Sequence, residues 1–474
     1  MSLFEQPMYD AQERGPEADD VEDLGLPDRS QGGHRGQVRM AYRFAEAQRG
    51  RLLHVHGVGW HRWDGTRWKE DQDGEPTRAV LKVLRDALAE SLRDPDLRVD
   101  VRKCEGATGV RGVLEIAGSL HPLAATVEQL DADPYLLNVA NGTLDLRTLD
   151  LRPHDPADRI TKVTVGAYRP DEAGRRWPEF LTEVLPDPEV RGFVQRVVGV
   201  ALIGKVLEHV LPIWTGSGAN GKGVTYGALL HALGDYAAAA EPELFTSRDS
   251  SHPTGQYDLR GRRFVVVSES DRDRRLAEAT MKRLTGGDRI KARLMRRDFV
   301  EFTPSHLAVM VTNHLPRVAG DDEAIWRRMR VVPFSVVVPA ERRDPRLGEA
   351  LELEADAVLA WAVAGWQDYT GRGGLAEPDN VLVATQAYRV DNDAVARFLA
   401  ECCHQGEQLR AGVTDLHQRW TTWAQQDGAD ALSAKAFGMA LDRHGIAPST
   451  VANGKRWRAG VALMADDDEQ ERYS

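Results

Sequence analysis

The segment WTGSGANGKGVTY, residues 214–226, combines closely spaced glycines with one lysine. It fits the pattern G-x-x-x-x-G-K, in which backbone N–H groups surround phosphate oxygens and the lysine binds the terminal phosphates. The full pattern continues with a serine or threonine whose hydroxyl binds magnesium, whereas Gly223 stands here. A glycine-rich turn that contains a lysine by chance is the alternative. The candidate nucleotide-binding residues, called the phosphate loop below, are Gly216, Ser217, Gly218, Ala219, Asn220, Gly221, Lys222, Gly223 and Val224.

Polar residues that follow the loop favour a working nucleotide site. The segment FVVVSE ends in Glu269, 47 residues after Lys222, and a carboxylate there can coordinate magnesium or orient the attacking water. The segment LAVMVTN ends in Asn313, whose amide can sense the terminal phosphate. Arg327 and Arg328 follow in IWRRMRVVPF, and an arginine that reaches this phosphate stabilises transition-state charge. Each residue alone has an ordinary surface interpretation, but all four in this order indicate nucleotide hydrolysis.

The segment KRLTGGDRIKARLMRR, residues 282–297, holds seven basic residues and one acidic residue. A basic run of this kind can serve solubility alone, or it can neutralise the phosphates of a nucleic-acid backbone without reading sequence. Lys282 is a separate case, because it could instead bridge toward the nucleotide. The candidate DNA-binding residues are Lys291, Arg293, Arg296 and Arg297.

The net charge of −12 is concentrated at the two ends of the chain. Residues 1–30 contain nine acidic and two basic side chains, and residues 466–474 contain five acidic and one basic. The body between them is therefore close to neutral and can hold local basic patches. Both polar ends are predicted to be disordered, with a role in solubility or in competition with DNA for the basic segment.

The elements that position these residues are those of an α/β fold. LPIWTG, RRFVVVSES and HLAVMVTN are short β-branched runs that end in polar residues, as buried parallel strands do. The spacing of apolar residues predicts a helix face made of Ala355, Val358, Leu359, Ala362, Val363 and Trp366.

The flanking regions have different patterns. A short helix over residues 38–47 precedes two predicted β-hairpins, with turns at Asp64-Gly65 and Asn141-Gly142. Tryptophans around the first turn pack the hairpin or stack on bases, and a helix over residues 77–94 follows, with leucines at positions 81, 84, 88 and 92. Residues 381–465 read as three helices and a hairpin, the order of a winged helix whose wing would carry Lys455, Arg456 and Arg458.

Cysteine usage and hydropathy exclude several classes of protein. Three cysteines without C-x-x-C spacing argue against a zinc ribbon or a disulfide framework. Buried thiols are favoured over a metal site at Cys402, Cys403 and His404. The absence of an 18-residue apolar run predicts no transmembrane helix and no membrane partner.

These motifs together resemble the helicase part of the phage/plasmid primase-helicases, members of helicase superfamily 3 related to the poxvirus primase-helicase. The residues that carry the resemblance are GSGANGKG, VVVSE, VTNHLP and WRRMRVVPF, with the basic segment lying where the family has a pore hairpin. GWHRWDGTRW and LNVANGTLDLRTLDLRPHD resemble the family's N-terminal region, and residues 381–465 resemble its C-terminal region.

The resemblance implies an α/β fold: an AAA+ superfamily 3 core with an N-terminal α+β collar-like domain and a C-terminal winged-helix domain. It further implies a homo-oligomeric ring, usually a hexamer, with ATP between subunits, single-stranded DNA in the pore and 3′ to 5′ movement. A phage or plasmid protein of this kind would be cytoplasmic in a bacterial host cell. Lys222 would then bind phosphate, Glu269 would serve Mg²⁺ directly or through water, and Asn313 would act as sensor. Arg328 is the first candidate for the arginine finger from the next subunit, and Arg327 is the second.

Two departures from the pattern leave alternatives open. Gly223 replaces the hydroxyl residue, and Ser268 precedes Glu269 where two adjacent acids are common. An ATP-binding DNA adaptor or helicase loader is therefore the alternative to a helicase, and priming would need a separate primase or other replication protein. The predicted divisions are tails at 1–35 and 466–474, an N-terminal domain at 36–175, the ATPase at 176–345, a helical linker at 346–380 and the winged helix at 381–465.

Overall fold

The computed structural model describes residues 33–244, 256–269, 275–292, 300–318, 322–429, 431–452 and 455–464. Both acidic tails lie almost wholly outside these residues. The chain divides into two compact units, residues 1–130 and 131–474. The boundary predicted at 175/176 does not coincide with this division, because residues 131–175 pack within the second unit.

The first unit combines helices with a small sheet, as the α+β interpretation expects. Its sheet has the order β3-β2-β1-β4, with β4 parallel to β1 and the other pairs antiparallel. The predicted short helix and first hairpin are confirmed. The elements are α1 (Gly36–Gln48), β1 (Leu52–Val55), β2 (Gly59–Trp63), β3 (Trp68–Glu70), α2 (Glu75–Glu90), α3 (Pro95–Cys104), α4 (Ala107–Ala117) and β4 (Ala124–Ala125).

The first hairpin turn is held by the side chain of Asp64, whose Oδ1 accepts hydrogen bonds from the backbone N–H groups of Thr66 and Arg67, both at 2.9 Å. Trp63 and Trp68 face each other across the strands with ring centroids 5.8 Å apart, and Trp68 is buried. Packing within the unit is thus confirmed for Trp68, while base stacking stays a hypothesis.

The helix predicted over residues 77–94 is confirmed, and its four leucines lie in different environments. Leu84 is buried and Leu88 packs against the core of this unit, whereas Leu81 and Leu92 are exposed, by 45% and 79%. Val80 and Val83 complete the buried face of α2, which packs against α1, α3 and α4.

The second unit begins with a three-stranded antiparallel sheet in which β6 pairs with both β5 and β7. The predicted hairpin is confirmed, with Ala140 and Asn141 in the turn. Gly142 opens the second strand, where a Cβ atom would lie 2.4 Å from the carbonyl oxygen of Arg152. The elements are β5 (Leu136–Val139), β6 (Gly142–Asp145) and β7 (Leu151–Arg152).

Within the described residues, five parallel strands form the central sheet, in the order β14-β8-β13-β10-β9. The three apolar segments predicted to be buried parallel strands are β8, β10 and β13, which confirms the α/β class. The strands are β8 (Leu211–Thr215), β9 (Ala237–Ala240), β10 (Phe264–Glu269), β13 (Leu307–Thr312) and β14 (Met329–Pro333), and a separate antiparallel pair is β11 (Ile290–Ala292) and β12 (Val300–Phe302).

Helices cover both faces of the central sheet because alternate strand residues point in opposite directions. Val266 and Val309 face one apolar cluster, and Val265 and Met310 face the other. The predicted helix face through Val358 is confirmed, since all of its six residues are buried in the first cluster or at its edge. The helices are α5 (Arg176–Val184), α6 (Pro188–Ala201), α7 (Lys222–Leu233), α8 (Glu278–Gly286), α9 (Glu323–Trp326), α10 (Leu347–Glu352) and α11 (Ala355–Arg372).

The C-terminal part has its own apolar core and a three-stranded sheet of order β15-β17-β16. The predicted hairpin forms, but four described helices precede it where the sequence predicted three, because residues 379–402 form two helices. The sequence reading also missed β15, which lies between the second and third of these helices. Five of its central residues are exposed, so it lacks an apolar pattern. The elements are α12 (Asp379–Asn392), α13 (Ala394–Cys402), β15 (Cys403–Gly412), α14 (Val413–Asp427), α15 (Ala434–Arg443), β16 (Pro448–Ala452) and β17 (Lys455–Leu463).

Arg458 is a correction to the predicted basic wing. Its guanidinium is buried, pairs with Asp442 and donates to the carbonyl oxygens of Ile446 and Gly438, both at 2.9 Å. It therefore ties β17 to α15 rather than facing solvent, whereas Lys455 and Arg456 are exposed.

The buried-thiol prediction is confirmed for Cys402 and Cys403, and burial raises the pKa of Cys403 to about 12. The described residues contain no cluster of His, Cys, Asp and Glu side chains that could hold a metal ion. None of the described helices has both the length and the apolarity that a membrane crossing requires.

Candidate functional site

The phosphate loop connects the end of β8 to the start of α7. Two positions of the loop require glycine. A Cβ atom on Gly216 would lie 2.3 Å from the carbonyl oxygen of Phe334, and Gly221 has a φ of +83°, which side chains disfavour. The first amides of α7 have no acceptor within the helix, so they are available to phosphate oxygens. The loop therefore has the geometry of an anion-binding turn.

The end of the arginine motif WRRMRVVPF and the residues after it hold this loop in place, a role that sequence reading missed. The N–H of Phe334 donates to Thr215 O at 2.8 Å, the side-chain amide of Asn220 donates to Phe334 O at 3.1 Å, and the N–H of Val338 donates to Ala219 O at 2.8 Å. The apolar run VVPFSVVVP indicates a buried segment, but nothing local indicates its partner.

Lys222 is buried at the base of the loop, with 5% of its surface exposed. Its Nζ donates to Gly216 O at 2.7 Å and to Asn313 Oδ1 at 3.1 Å, and both acceptors are neutral. Burial lowers the pKa of the ammonium, because a desolvated cation is unfavourable. A bound anion at this position would stabilise the charged form.

Asn313 reaches Lys222 because of strand order. In the parallel register, Thr312 pairs with Thr215 on one side and with Glu269 on the other, so three neighbouring strands end in one row. Neighbouring strands lie about 4.8 Å apart. The structure therefore brings Lys222 and Asn313 into contact and places Glu269 at the same edge, although the side chain of Glu269 is outside the described residues.

The missing hydroxyl at position 223 has no substitute on α7. Thr225 Oγ1 donates to Gly221 O at 2.9 Å, and Thr225 is fully buried beneath the loop. Gly223 itself is exposed, and a Cβ atom there would meet no heavy atom within 4 Å. The loop thus has open space where the full pattern places a magnesium ligand.

The arginines lie at the other end of the sheet. Met329 pairs with Leu211 at the beginning of β8, whereas the phosphate loop follows its end. Five residues of strand separate the two positions, which is about 16 Å. Arg327 is exposed, while Arg328 is partly buried and donates to Ala324 O at 2.6 Å. The structure does not bring either arginine to the phosphate loop of the same chain.

Within the described residues, the basic segment begins on α8 and continues onto β11, which pairs with β12. Lys291 lies on β11, is exposed, and has its Nζ 3.7 Å from Glu301 Oε1 on β12. Lys282 pairs with Asp322, and this hydrogen bond lowers the pKa of that carboxyl. Arg293, Arg296 and Arg297 are outside the described residues.

Comparisons with known proteins match three parts of the chain. The family described as D5 N terminal like matches residues 41–186, a family of unknown function matches residues 214–328, and the family described as poxvirus D5 protein-like matches residues 390–457. The unknown-function match contains the phosphate loop, Glu269, Asn313 and both arginines.

Curated relatives come from large DNA viruses. A putative helicase of Acanthamoeba polyphaga mimivirus is 26% identical over 74% of this chain and 39% of its own length. A putative helicase of Frog virus 3 is 26% identical over 60% of this chain and 30% of its own length. A putative primase of African swine fever virus is 24% identical over 61% of this chain and 33% of its own length. The chain thus spans roughly a third of the length of these relatives.

Among solved structures, the C-terminal region of NrS-1 in its apo form superimposes with a TM-score of 0.49 at 10% identity, covering 90% of this chain and 99% of that one. The family matches and the viral relatives confirm the resemblance inferred from the motifs: the chain carries D5 N-terminal-like and poxvirus D5-like regions and is related to putative helicases and primases of large DNA viruses.

Proposed function

We propose that this protein is an ATP-dependent DNA helicase or translocase of superfamily 3 that acts as an oligomeric ring in the replication of a virus, phage or mobile element. The observation that carries the proposal is the hydrogen bond from Lys222 Nζ to Asn313 Oδ1 at the base of the phosphate loop. Two motifs 91 residues apart in sequence meet there. A phosphate-sensing amide and a phosphate-binding lysine have this arrangement when they serve one nucleotide.

The loop suits a nucleoside triphosphate. The N–H groups at the start of α7 bind phosphate oxygens, and Lys222 pairs with the terminal phosphates once its neutral acceptors give way to an anion. Asn313 then contacts the terminal phosphate or the attacking water. Glu269 would hold Mg²⁺ directly or through water, and the ion would neutralise charge on the phosphate oxygens.

The arginines support a ring in which each nucleotide lies between two protomers. Because Arg327 and Arg328 lie at the far end of the sheet from Lys222, they can serve the site of a neighbouring subunit but not their own. Arg327 becomes the first candidate for the finger, since it is exposed, whereas Arg328 is held on its own helix.

The finer structural assignments are part of the same proposal. The central sheet with its motif-bearing edge is the AAA+ core, and the helices, β15 and the β16–β17 hairpin form a winged helix. Lys291, Arg293, Arg296 and Arg297 line the DNA channel, with Lys291 on the exposed face of the antiparallel pair β11–β12.

ATP turnover with and without single-stranded DNA tests the function. We expect Mg²⁺-dependent phosphate release that DNA stimulates, a fall of at least about 100-fold in Lys222→Ala, and little change in Lys82→Ala, an exposed lysine on α2. An adaptor or loader is the second candidate, favoured by Gly223 and Ser268. Nucleotide binding with no phosphate release under any condition would establish that candidate instead.

A further inference from the structure

Helix α12 contacts the loop that follows the sensor Asn313. The hydroxyl of Tyr388 donates to the carbonyl oxygen of Pro316. The side chain of Asn392 makes a reciprocal pair with the backbone of Val318: Oδ1 accepts from its N–H at 3.0 Å, and Nδ2 donates to its carbonyl oxygen at 2.8 Å. A shift of this loop therefore acts directly on α12.

The same helix also contacts the segment that carries the arginines. Thr385 Oγ1 accepts from the N–H of Val331 at 2.9 Å, on the outer strand of the described sheet. Glu377, just before α12, pairs with Arg330 Nε at 2.8 Å. Arg389 of α12 pairs with Glu323 on the short helix α9 that leads to Arg327.

Tyr388 joins the two contact sets in one side chain. Its ring packs edge-on against Trp326, with centroids 5.2 Å apart, and Trp326 immediately precedes Arg327. Its hydroxyl binds Pro316, three residues after Asn313. Tyr388 and Trp326 are both about 5% exposed, so the contact is a packed one. Packed interiors transmit displacement because they have no free volume to absorb it.

We propose that Tyr388, Asn392 and Thr385 are positioning residues that couple the nucleotide site of one protomer to the site its arginine serves on the next. The proposal rests on the function given above. Loss of the terminal phosphate frees Asn313, the loop over residues 314–318 shifts, and α12 passes that shift to Trp326 and β14. Coupling of this kind is a free energy shared by two sites, so it is measured by how one site responds when another is disabled.

The experiment mixes subunits. Each variant is mixed with the same variant that also carries Lys222→Ala, at constant total protein. DNA-stimulated ATP turnover is then measured as a function of the fraction of subunits that carry Lys222→Ala. If the sites were independent, turnover would fall in a straight line as the fraction of disabled subunits rises. For the otherwise wild-type protein, we expect turnover to fall below that line. Thr385→Val keeps the size and branching of the side chain but removes the oxygen that accepts from Val331 N–H. In this variant, turnover should follow the straight line.

Matched variants separate coupling from folding. Thr385→Ser retains the oxygen and should keep the curve bent, and Val383→Ser changes an exposed residue of the same helix and should do the same. Tyr388→Phe keeps the ring against Trp326 but loses the bond to Pro316, and should straighten the curve with an unchanged melting temperature to within about 3 °C.

The outcomes distinguish this inference from the function on which it rests. No ATP turnover in the wild type overturns the function itself. Turnover with a straight wild-type curve, or curves that stay bent in both Thr385→Val and Tyr388→Phe, leaves the function standing and overturns the coupling role of α12.

Discussion

At the scale of single residues, the candidate site contains a buried cation whose partners among the described residues are neutral. Lys222 donates to two neutral oxygens, and Gly223 leaves open space where the full motif has a hydroxyl. Under the proposed function, the loop binds phosphate through Lys222 and lacks the usual hydroxyl ligand for magnesium.

A serine at position 223 should strengthen metal binding. Gly223 has no positive φ and no neighbour that a Cβ atom would meet, so Gly223→Ser places a hydroxyl at the loop without strain. We expect the Mg²⁺ concentration for half-maximal ATP turnover to fall several-fold. Gly227→Ser is the control, because that position on the same helix is equally open. An unchanged midpoint in Gly223→Ser would place the metal elsewhere.

At the scale of elements, β13 runs from a buried histidine without hydrogen-bond partners among the described residues to the sheet edge that holds Asn313. His306 lies one residue before β13, is 3% exposed, and neither of its ring nitrogens has a hydrogen-bond partner among the described residues. Burial lowers the pKa of His306 to about 4, because the charged ring would be desolvated.

Acid should therefore loosen this strand. Between pH 6.5 and about 4, His306 is protonated in the unfolded chain but stays neutral in the folded protein. The free energy of unfolding therefore decreases as the pH is lowered through this range, by up to about 3 kcal/mol. We expect the melting temperature of the wild type to decline across this window more steeply than that of His306→Leu. The exposed His209→Leu should follow the wild type. If the melting temperatures of wild type and His306→Leu fell in parallel with pH, the prediction that His306 is buried in its neutral form would be wrong.

At the scale of the whole molecule, the proposed function assigns to one chain half of each of two sites. The phosphate loop and Arg327 lie at opposite ends of the same sheet, so a closed assembly of head-to-tail contacts is the arrangement that unites them.

Mixing two inactive proteins tests this arrangement. Lys222→Ala and Arg327→Ala should each lose DNA-stimulated turnover, by about 10³-fold for the arginine. In an equal mixture, about a quarter of the interfaces pair an intact loop with an intact arginine, so activity should return to a measurable fraction of wild type. Two Arg327→Ala preparations mixed together serve as the control. A mixture as inactive as its components would place both residues in one subunit's site or remove Arg327 from the chemistry.

The sequence by itself determined the α/β class, the phosphate loop and the strand ends at Glu269 and Asn313. These follow from local rules: β-branched runs make buried strands, and glycines before a lysine make an anion-binding turn. Hairpin signals at Asp64-Gly65 and Asn141-Gly142 were equally local.

Only the tertiary structure decided what depends on strand order and helix rotation. The neighbouring positions of β8, β13 and β10 put Asn313 on Lys222, and the pairing of β14 with β8 sent the arginines to the far end. The buried face of α2, the buried Arg458 and the contacts of Tyr388 also came from packing, because side chains with the same local pattern are sorted by partners distant in sequence.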